Sequence, residues 1–274
     1  MCTLTFMPRR TGYCLAMNRD EKRARPEGLP PAQRIIGGQR VLYPSEPGGG
    51  TWIALNDSGV CLALINWYSV AGRVKRGSLS RGNVILSVGA ASTGNFVDAG
   101  LKGLPLRRVN PFRLIVVFPA SRKIIEWRWD SKRLVREAHR WRLQQWVSSG
   151  LDEPRAQQVR GRTFKEVQSQ SSVGSLNWLR RLHRSHSPQA GAFSTCMHRQ
   201  DAATVSYTEV SVLGKAVGMR YIHGAPCSRS KVSSHHHYAS DPSKRKPNGD
   251  GIPTPPSALE SIYGWPLSRE VFHA

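Results

Sequence analysis

The order of strand-like and helical segments along this chain restricts its fold more than any other feature of the sequence. Alternating or β-prone runs fill most of the first half, two helical patterns follow, and strand-like runs return before the end. A parallel sheet would require regular alternation of strands and helices, which is missing. We therefore expect antiparallel sheets with helices packed on them, an α+β fold. The predicted strands are 2–7, 13–20, 51–56, 60–67, 112–118, 124–130, 132–139, 193–197, 203–212 and 216–223.

Two helices are predicted between the two groups of strands. Asp152 is a suitable N-cap for the first of them, and Pro154 stands in its first turn. In the second, leucines recur at the spacing of a helical face. The Gly- and Pro-rich stretch 26–50 is predicted to be a long loop with one short strand. The predicted helices are 153–167 and 174–186, with a third at 81–91.

Composition divides the chain into one folded domain, residues 1–227, and a tail, residues 228–274. With 39% hydrophobic residues and eight tryptophans the chain can bury a sizeable core. The tail is rich in Ser, Pro and Lys, and we predict that it is disordered. No apolar run approaches the roughly 18 residues of a membrane-spanning helix, and no secretory signal pattern is present. These patterns favour a cytoplasmic protein with no membrane span.

The net charge of +22 comes mostly from arginine. Binding to DNA or RNA requires such charge to form a stripe or to lie on a known module, and no zinc-finger, helix-turn-helix or RNP pattern is present. We therefore interpret the arginines as a solvated basic surface and expect no nucleic-acid partner.

The cysteines form no recognisable metal-binding or disulfide pattern. None of the five shows CxxC-type spacing, and their odd number argues against a disulfide framework. Cys14, Cys61 and Cys196 lie in apolar contexts and are predicted to be small buried residues. His183 and His186 lie three apart on a predicted helix, but no third ligand is evident. We therefore predict no metal site and no cofactor.

Cys2 differs from the other cysteines by its position behind the initiator methionine. Because cysteine is small, processing can remove Met1 and leave one residue with both a thiol and a free α-amine. The thiol can attack an acyl carbon while the amine takes and returns its proton. The ordinary pKa values of the two groups, roughly 8.5 and 7.7–8.0, are closely matched near neutral pH. The alternative is that Cys2 is an ordinary second residue and Met1 is retained.

Several short motifs, taken in order along the chain, resemble one protein family. They are MCTLTF at 1–6, LAMNRDE at 15–21, GGTWI at 49–53, ALINWY at 63–68 and HRQDAATVSYT at 198–208. Together they resemble the NRDE family, the group of transport and Golgi organisation 2-like proteins, which is named after the motif that stands here as Asn18-Arg19-Asp20-Glu21. The resemblance covers about residues 1–227.

This family is similar in turn to the N-terminal-nucleophile hydrolases, above all to the Cys-type amidases that cleave bile-salt and penicillin amides. The resemblance implies a four-layer αββα sandwich of antiparallel sheets, with Cys2 as nucleophile. It also implies that the Asp20 carboxylate binds the α-amine and that the Asn66 side chain helps to form the oxyanion hole. The implied function is an amidohydrolase or acyltransferase that acts on an amide or thioester.

The same motifs imply further pocket residues. The expected substrate-binding residues are Asn18, Arg19, Trp52, Ser148 and Ser149. The sequence departs from the amidases at three places. Met17 stands where they have an arginine, Ser148-Ser149 stands where they have a second asparagine, and a late arginine of theirs has no match here. A structural hydrogen-bond network is expected from His198, Thr204 and Ser206.

Other interpretations stay open at this point. Asp20 and Glu21 could pair with Arg19 and Lys22 at the strand end, and Asn66 could cap a strand. The pocket could also hold a ligand without catalysis. For such a binding protein the family resemblance suggests lipid or haem as the ligand, in place of a small acyl substrate.

Overall fold

The computed structural model describes residues 1–74, 76–228 and 231–238. The strands are β1 (Cys2–Arg9), β2 (Gly12–Lys22), β3 (Leu29–Ile36), β4 (Gln39–Ser45), β5 (Ile53–Asn56), β6 (Cys61–Asn66), β7 (Phe112–Phe118), β8 (Lys123–Trp129), β9 (Leu134–His139), β10 (Gln144–Ser148), β11 (Ala202–Leu213), β12 (Ala216–His223) and β13 (Val232–Tyr238). The α-helices are α1 (Gly82–Ser87), α2 (Gly94–Lys102), α3 (Glu153–Val167) and α4 (Leu176–Arg184).

The described strands form two antiparallel sheets. The six-stranded sheet has the order β10-β1-β2-β11-β12-β13, and the seven-stranded sheet has the order β3-β4-β5-β6-β7-β8-β9. The second sheet is a meander in which every neighbour in space is also a neighbour in sequence. In the first sheet the hairpin of β1 and β2 lies between strands from the later half of the chain. The antiparallel arrangement confirms the fold class expected from the order of elements.

Three apolar cores separate four layers. The first lies between the two sheets and contains side chains such as Leu4 of β1 and Ile115 of β7. On its outer face the seven-stranded sheet packs against α1 and α2 through residues such as Val97. On its outer face the six-stranded sheet packs against α3 and α4 through Phe164 and Trp178. The layer order αββα confirms the predicted sandwich.

Alternation along β2 decides which of its residues can reach the space between the sheets. Leu15 and Met17 face the inner core, to which Cys2 also contributes. Cys14 and Ala16 face the layer of α3 and α4. Because side chains of a strand alternate with a period of two, the following residues of β2 divide in the same way.

Residues 26–50 are not a long loop, which corrects the prediction for this stretch, although the short strand expected near residues 40–43 lies within β4. They contain β3 and β4, which pair as a hairpin at the edge of the seven-stranded sheet. Most side chains of β3 are exposed or half-buried. Such an edge strand lacks the apolar alternation by which strands are recognised in a sequence.

Three other elements differ from expectation. The predicted helix at 81–91 ends early, as α1, and α2 follows it with Thr93 as N-cap, whose side chain accepts a hydrogen bond from the Phe96 N–H. Residues 193–197 are irregular and do not form a strand. β10, which pairs with β1, was not predicted, because its five residues begin with two glutamines and lack a clear apolar pattern.

One strand lies in the predicted tail. Val232–Tyr238 pairs antiparallel with β12, so the prediction of disorder is wrong for these 7 residues. β13 is added at the edge of the six-stranded sheet. Its formation depends on pairing with β12 more than on apolar residues of its own. Apart from residues 228 and 231, the rest of the predicted tail lies outside the described residues.

The described helices are short. The longest, α3, has 15 residues, whereas a membrane-spanning helix needs about 20 apolar residues. No helix among the described residues is long and apolar enough to cross a membrane.

Candidate active site

A polar cavity of about 320 Å³ opens beside the first residues of β1. Its walls come from β1 and β2, from residues around β5 and β6, and from the segment that leads into α1. The lining residues that carry chemistry are Cys2, Arg19, Glu21, Arg25, Glu46, Trp52, Asn66 and Arg81.

Cys2 is the first residue of β1, and it is 6% exposed. In the sheet it lies between Arg19 of β2 and Ser148 of β10. The α-amine of Met1 donates to the Asp20 carbonyl at 3.0 Å, and the Asp20 N–H donates to the Met1 carbonyl at 2.8 Å. Hydrogen-bonding directions alternate along an antiparallel strand, so the backbone nitrogen of Cys2 points to β10, at Ser148.

With Met1 in place the Cys2 thiol is held in its neutral form. Burial raises the pKa of this thiol above its ordinary value, and the positively charged α-amine opposes the rise. Burial lowers the pKa of the α-amine, but Cys2 and the nearby Tyr68, Asp20 and Glu21 raise it to a net value above the ordinary one. Near neutral pH the amine is therefore charged and the thiol is protonated, whereas the nucleophilic form of cysteine is the thiolate.

Two arginines and two glutamates form a closed ring of ion pairs on one wall of the cavity. Arg19 Nη2 lies 2.7 Å from Glu46 Oε1 and 3.5 Å from Glu21 Oε2. Arg25 completes the ring, 3.0 Å from Glu21 and 2.8 Å from Glu46. The Arg19 guanidinium carbon also lies 4.4 Å from the centre of the Trp52 ring. These contacts fix Arg19 in one position on the strand opposite Cys2.

Arg81 gives the cavity a positive charge that the ring does not neutralise. Its guanidinium donates to the Pro111 carbonyl at 3.3 Å. No carboxylate in the described part of the chain forms a salt bridge with it at 4.0 Å or less. Burial lowers the pKa of Arg81, Tyr68 opposes this, and Arg73 and Arg25 add to the lowering. A desolvated cation of this kind favours an anionic group in the cavity.

Asn66 ends β6 and lines the same cavity. Its Nδ2 donates to Tyr68 Oη at 2.7 Å. An amide nitrogen carries two hydrogens, so this contact leaves a second N–H for an oxygen in the cavity.

A comparison with protein-family models shows which family this chain belongs to. Residues 1–139 match the family model described as Transport and Golgi organisation 2. The chain belongs to this family. No curated protein sequence matches it.

Two solved structures share the fold of this family member. Penicillin V acylase from Agrobacterium tumefaciens is similar with a TM-score of 0.53 and 10% identity, over 85% of this chain and 85% of that chain. The C2A mutant of the conjugated bile acid hydrolase from Clostridium perfringens is similar with a TM-score of 0.51 and 9% identity, over 88% of this chain and 98% of that chain. The fold is therefore like that of the N-terminal-nucleophile hydrolases, and identities this low carry the likeness no further than the fold.

The motif from Asn18 to Glu21, from which the NRDE family takes its name, divides between the two faces of β2. Arg19 and Glu21 face the cavity. Asn18 faces the helical layer, where its Nδ2 donates to the carbonyls of His183 at 2.9 Å and Thr195 at 2.8 Å. The structure therefore does not bring Asn18 to the cavity as a substrate contact.

The Asp20 carboxylate also points to the helical layer. Its Oδ2 accepts from Arg160 Nη1 at 3.0 Å, and its Oδ1 accepts from Thr204 Oγ1 at 2.7 Å. The side chains of Asp20 and Arg160 are both fully buried. The Asp20 carbonyl accepts from the α-amine of Met1. The expected contact between the Asp20 carboxylate and a Cys2 α-amine concerns the chain without Met1 and stays a prediction.

Ser148 and Ser149 lie beside the start of β1 and not in the cavity wall. Ser148 is buried opposite Cys2, and among the described residues its hydroxyl has no hydrogen-bond partner. The Ser149 hydroxyl accepts from the Leu151 N–H at 3.3 Å and lies 4.0 Å from Met1 Sδ.

The expected network of His198, Thr204 and Ser206 is divided among three places. Thr204 holds the Asp20 carboxylate. Ser206 lies opposite Arg19, after a bulge that separates it from Thr204. His198 contacts His186 at 3.1 Å instead.

Four charged cavity residues were missed as functional candidates: Glu21, Arg25, Glu46 and Arg81. Glu21 was interpreted only as a strand-end partner of Arg19, a contact that does form. Its position two residues after Arg19 was a usable signal, because the period of two gives both side chains the same face. The other three come from a loop and from elements that tertiary packing brings to β2, which no local pattern reveals.

Proposed function

We propose that this protein is a cysteine N-terminal-nucleophile enzyme, an amidohydrolase or acyltransferase that acts on an amide or thioester. The observation that supports this most is the place of Cys2. It lies one residue from the N-terminal Met1, at the wall of a polar cavity, in a fold like that of penicillin V acylase. Removal of Met1 converts its backbone nitrogen into a free α-amine on the same residue.

The proposed reaction has two stages. Cys2 Sγ attacks the acyl carbon, and the thiol proton passes to the α-amine. The tetrahedral intermediate collapses when the amine returns this proton to the leaving nitrogen or sulfur, so that an amine or thiol departs and an acyl-Cys2 thioester remains. Water, or another nucleophile in an acyltransferase, then attacks the thioester and releases the acyl group.

Asn66 and Ser148 are the proposed supporting groups. The second N–H of Asn66 Nδ2 is a donor for the oxyanion of the tetrahedral intermediate, and loss of one such donor typically slows a reaction about 100- to 1000-fold. The unpartnered Ser148 hydroxyl lies on the strand to which the Cys2 nitrogen points. It can therefore accept a hydrogen bond from the new α-amine and orient it.

Asp20 is assigned a supporting role at a distance. It holds the strand that carries Arg19, through its contacts with Arg160 and Thr204. With Met1 in place, burial lowers the pKa of the Met1 α-amine, and the charge of Asp20 is among those that raise it again.

The proposed substrate is a small molecule with an anionic group. Arg81 is the cation that favours such a group, and the ring of Arg19, Arg25, Glu21 and Glu46 lines the same cavity. The fold neighbours named above are an acylase and a conjugated bile acid hydrolase, which agrees with an acyl substrate of modest size. Since all five cysteines are free thiols, we also propose a reducing, cytoplasmic location.

The test is a screen of amides and thioesters that carry a carboxylate, with the wild type compared with Cys2→Ala. Cys14→Ala is the matched control, because Cys14 is also buried but lies on the other face of the sheet. We expect turnover by the wild type and the control and none by Cys2→Ala. Asn66→Ala should lower kcat about 100- to 1000-fold. Turnover by Cys2→Ala at the wild-type rate would contradict the proposal.

A second candidate is a non-catalytic ligand-binding protein on the same scaffold. It is favoured by the Cys2 thiol, whose pKa is raised by burial when Met1 is retained. The family resemblance suggests lipid or haem, either of which can carry an anionic group to Arg81. Ligand binding that Arg81→Gln weakens and Cys2→Ala leaves unchanged, without turnover, would favour this candidate.

A further inference from the structure

A second cluster of reactive side chains lies outside the Cys2 cavity, formed by His186, Cys196, His198 and Cys227. Each of these residues offers one possible ligand atom, and the four atoms all lie within 4.8 Å of one another. His186 Nε2 is 3.1 Å from His198 Nε2, and Cys196 Sγ is 3.5 Å from Cys227 Sγ. His198 Nε2 is also 3.6 Å from Cys196 Sγ and 3.3 Å from Cys227 Sγ.

These distances match the edges of a zinc-binding tetrahedron. Zinc binds sulfur at about 2.3 Å and imidazole nitrogen at about 2.0–2.1 Å. Tetrahedral geometry then separates two nitrogens by about 3.4 Å, a nitrogen and a sulfur by about 3.6 Å, and two sulfurs by about 3.8 Å. Four of the six distances in the cluster each fall within about 0.3 Å of the corresponding edge, and the ligand atom of His186 lies within 4.8 Å of both sulfurs.

The fold assembles the cluster from three segments. His186 follows α4, Cys196 and His198 lie on the segment before β11, and Cys227 follows β12. The Cys196 N–H donates to the carbonyl of Ser185, the neighbour of His186, at 2.9 Å. The backbone therefore holds ligands of different segments close together.

A disulfide between the two cysteines does not account for this arrangement. A disulfide bond is about 2.05 Å long, whereas the Cys196 and Cys227 sulfurs are 3.5 Å apart and both thiols are free. A disulfide would also not require His198 Nε2 to lie within 3.6 Å of Cys196 Sγ and 3.3 Å of Cys227 Sγ. The four possible ligand atoms all lie within 4.8 Å of one another, an arrangement that one bound ion would explain.

We propose that His186, Cys196, His198 and Cys227 bind one zinc ion in a closed, structural Cys₂His₂ site. Both thiols lose their protons to solvent, so each ion releases two protons, and the two thiolates balance its charge. Four protein ligands leave no open position, which is typical of structural and not of catalytic zinc. Cys227 is exposed and gives the ion a route of entry. The ion would tie the end of α4 and the end of β12 to the start of β11, beside Thr204 and Asp20.

The experiment measures metal content and affinity on the full chain, purified with a reductant and without chelator. We expect about one zinc per chain by plasma mass spectrometry, and about two protons released per zinc in a weakly buffered titration. Cobalt added to the metal-free wild type should give the visible absorption of a tetrahedral thiolate site, a readout that needs no variant.

Variants at the ligands give the second readout. Cys227→Ser and His198→Asn should weaken zinc binding against a competing chelator by more than about tenfold, whereas Cys14→Ala should leave it unchanged. Chelation should lower the melting temperature of the wild type and not that of Cys227→Ser. No zinc or cobalt binding by reduced, folded wild type, or equal affinity in Cys227→Ser, would overturn the proposal. The proposal would also be overturned if the protein is isolated with a Cys196–Cys227 disulfide and binds no metal after that disulfide is reduced.

Discussion

At the scale of single residues, the alternation of one strand explains why the motif residues have different roles. Arg19 and Glu21 face the cavity with Cys2, whereas Asn18 and Asp20 face the helices and bind there. Asp20 is the clearest case, because its carboxylate pairs with Arg160 where both side chains are fully buried. Breaking such a pair leaves an uncompensated charge in the interior.

We predict that Asp20→Asn lowers the free energy of unfolding by about 3–5 kcal/mol, the usual cost of removing one partner of a buried ion pair. Asp201→Asn, which removes the exposed partner of Arg199, is the control and should cost less than about 1 kcal/mol. Urea denaturation measures both. A variant Asp20→Asn that is as stable as the wild type but inactive would show that the carboxylate acts in the reaction and not in the fold.

At the scale of elements, the sequence predicts strands and helices correctly where their local patterns agree with the tertiary packing. The β1–β2 hairpin follows from alternation, and α3 begins where Asp152 accepts from the Arg155 N–H, as its N-cap position predicted. β3 and β13 were missed because both are edge strands whose pairing, and not their apolar content, holds them. The cluster around His186 was missed for a similar reason, since 31 residues separate Cys196 from Cys227.

The packing of α4 against β1 and β2 rests on a neutral histidine. Asn18 Nδ2 donates to two carbonyls, so its Oδ1 accepts from His183 Nδ1 at 3.1 Å. His183 Nε2 then accepts from the Thr5 hydroxyl at 3.0 Å. Burial and the nearby Arg160 lower the pKa of His183 from 6.5 to about 3.

We predict that this histidine makes stability depend on pH. The unfolded chain binds a proton at His183 below about pH 6.5 and the folded chain does not, so stability falls by up to about 1.4 kcal/mol per pH unit as pH decreases. His183→Gln should be less stable at neutral pH and should lose this slope between about pH 6.5 and pH 4.5. His223→Gln is the control. Urea denaturation across this range checks it, and an unchanged slope in His183→Gln would contradict the assignment.

At the scale of the whole molecule, the αββα layers place the start of β1 at a rim where both sheets contribute to one cavity. The element order predicted antiparallel sheets covered by helices, and the family resemblance implied the αββα layers. Neither revealed the cavity wall, because Glu46 and Arg81 come from the other sheet and its loops. That sheet also holds its own buried charge. Glu126 is 1% exposed and binds Arg113 on β7 and His139 on β9.

We predict that Glu126 contributes to acid unfolding. Burial raises its pKa, but His139 and Arg113 lower it to a net value of about 2, from 4.5. The contribution to stability, about 3 kcal/mol, is present above about pH 4.5 and is lost as pH falls towards 2. Glu126→Gln should therefore cost about 3 kcal/mol at neutral pH and little in strong acid. Glu137→Gln, which breaks a more exposed pair with Arg128, is the control and should cost less than about 1 kcal/mol.

The central claim is that Cys2 becomes an N-terminal nucleophile, and intact mass combined with site-resolved thiol alkylation tests it most directly. Peptide mapping of the wild-type chain resolves the five thiols and compares Cys2 with Cys14, both of which are buried. We predict that the purified protein lacks Met1 and that Cys2 is alkylated much faster than Cys14 near neutral pH. Full retention of Met1, or a Cys2 that reacts no faster than Cys14, would contradict the account.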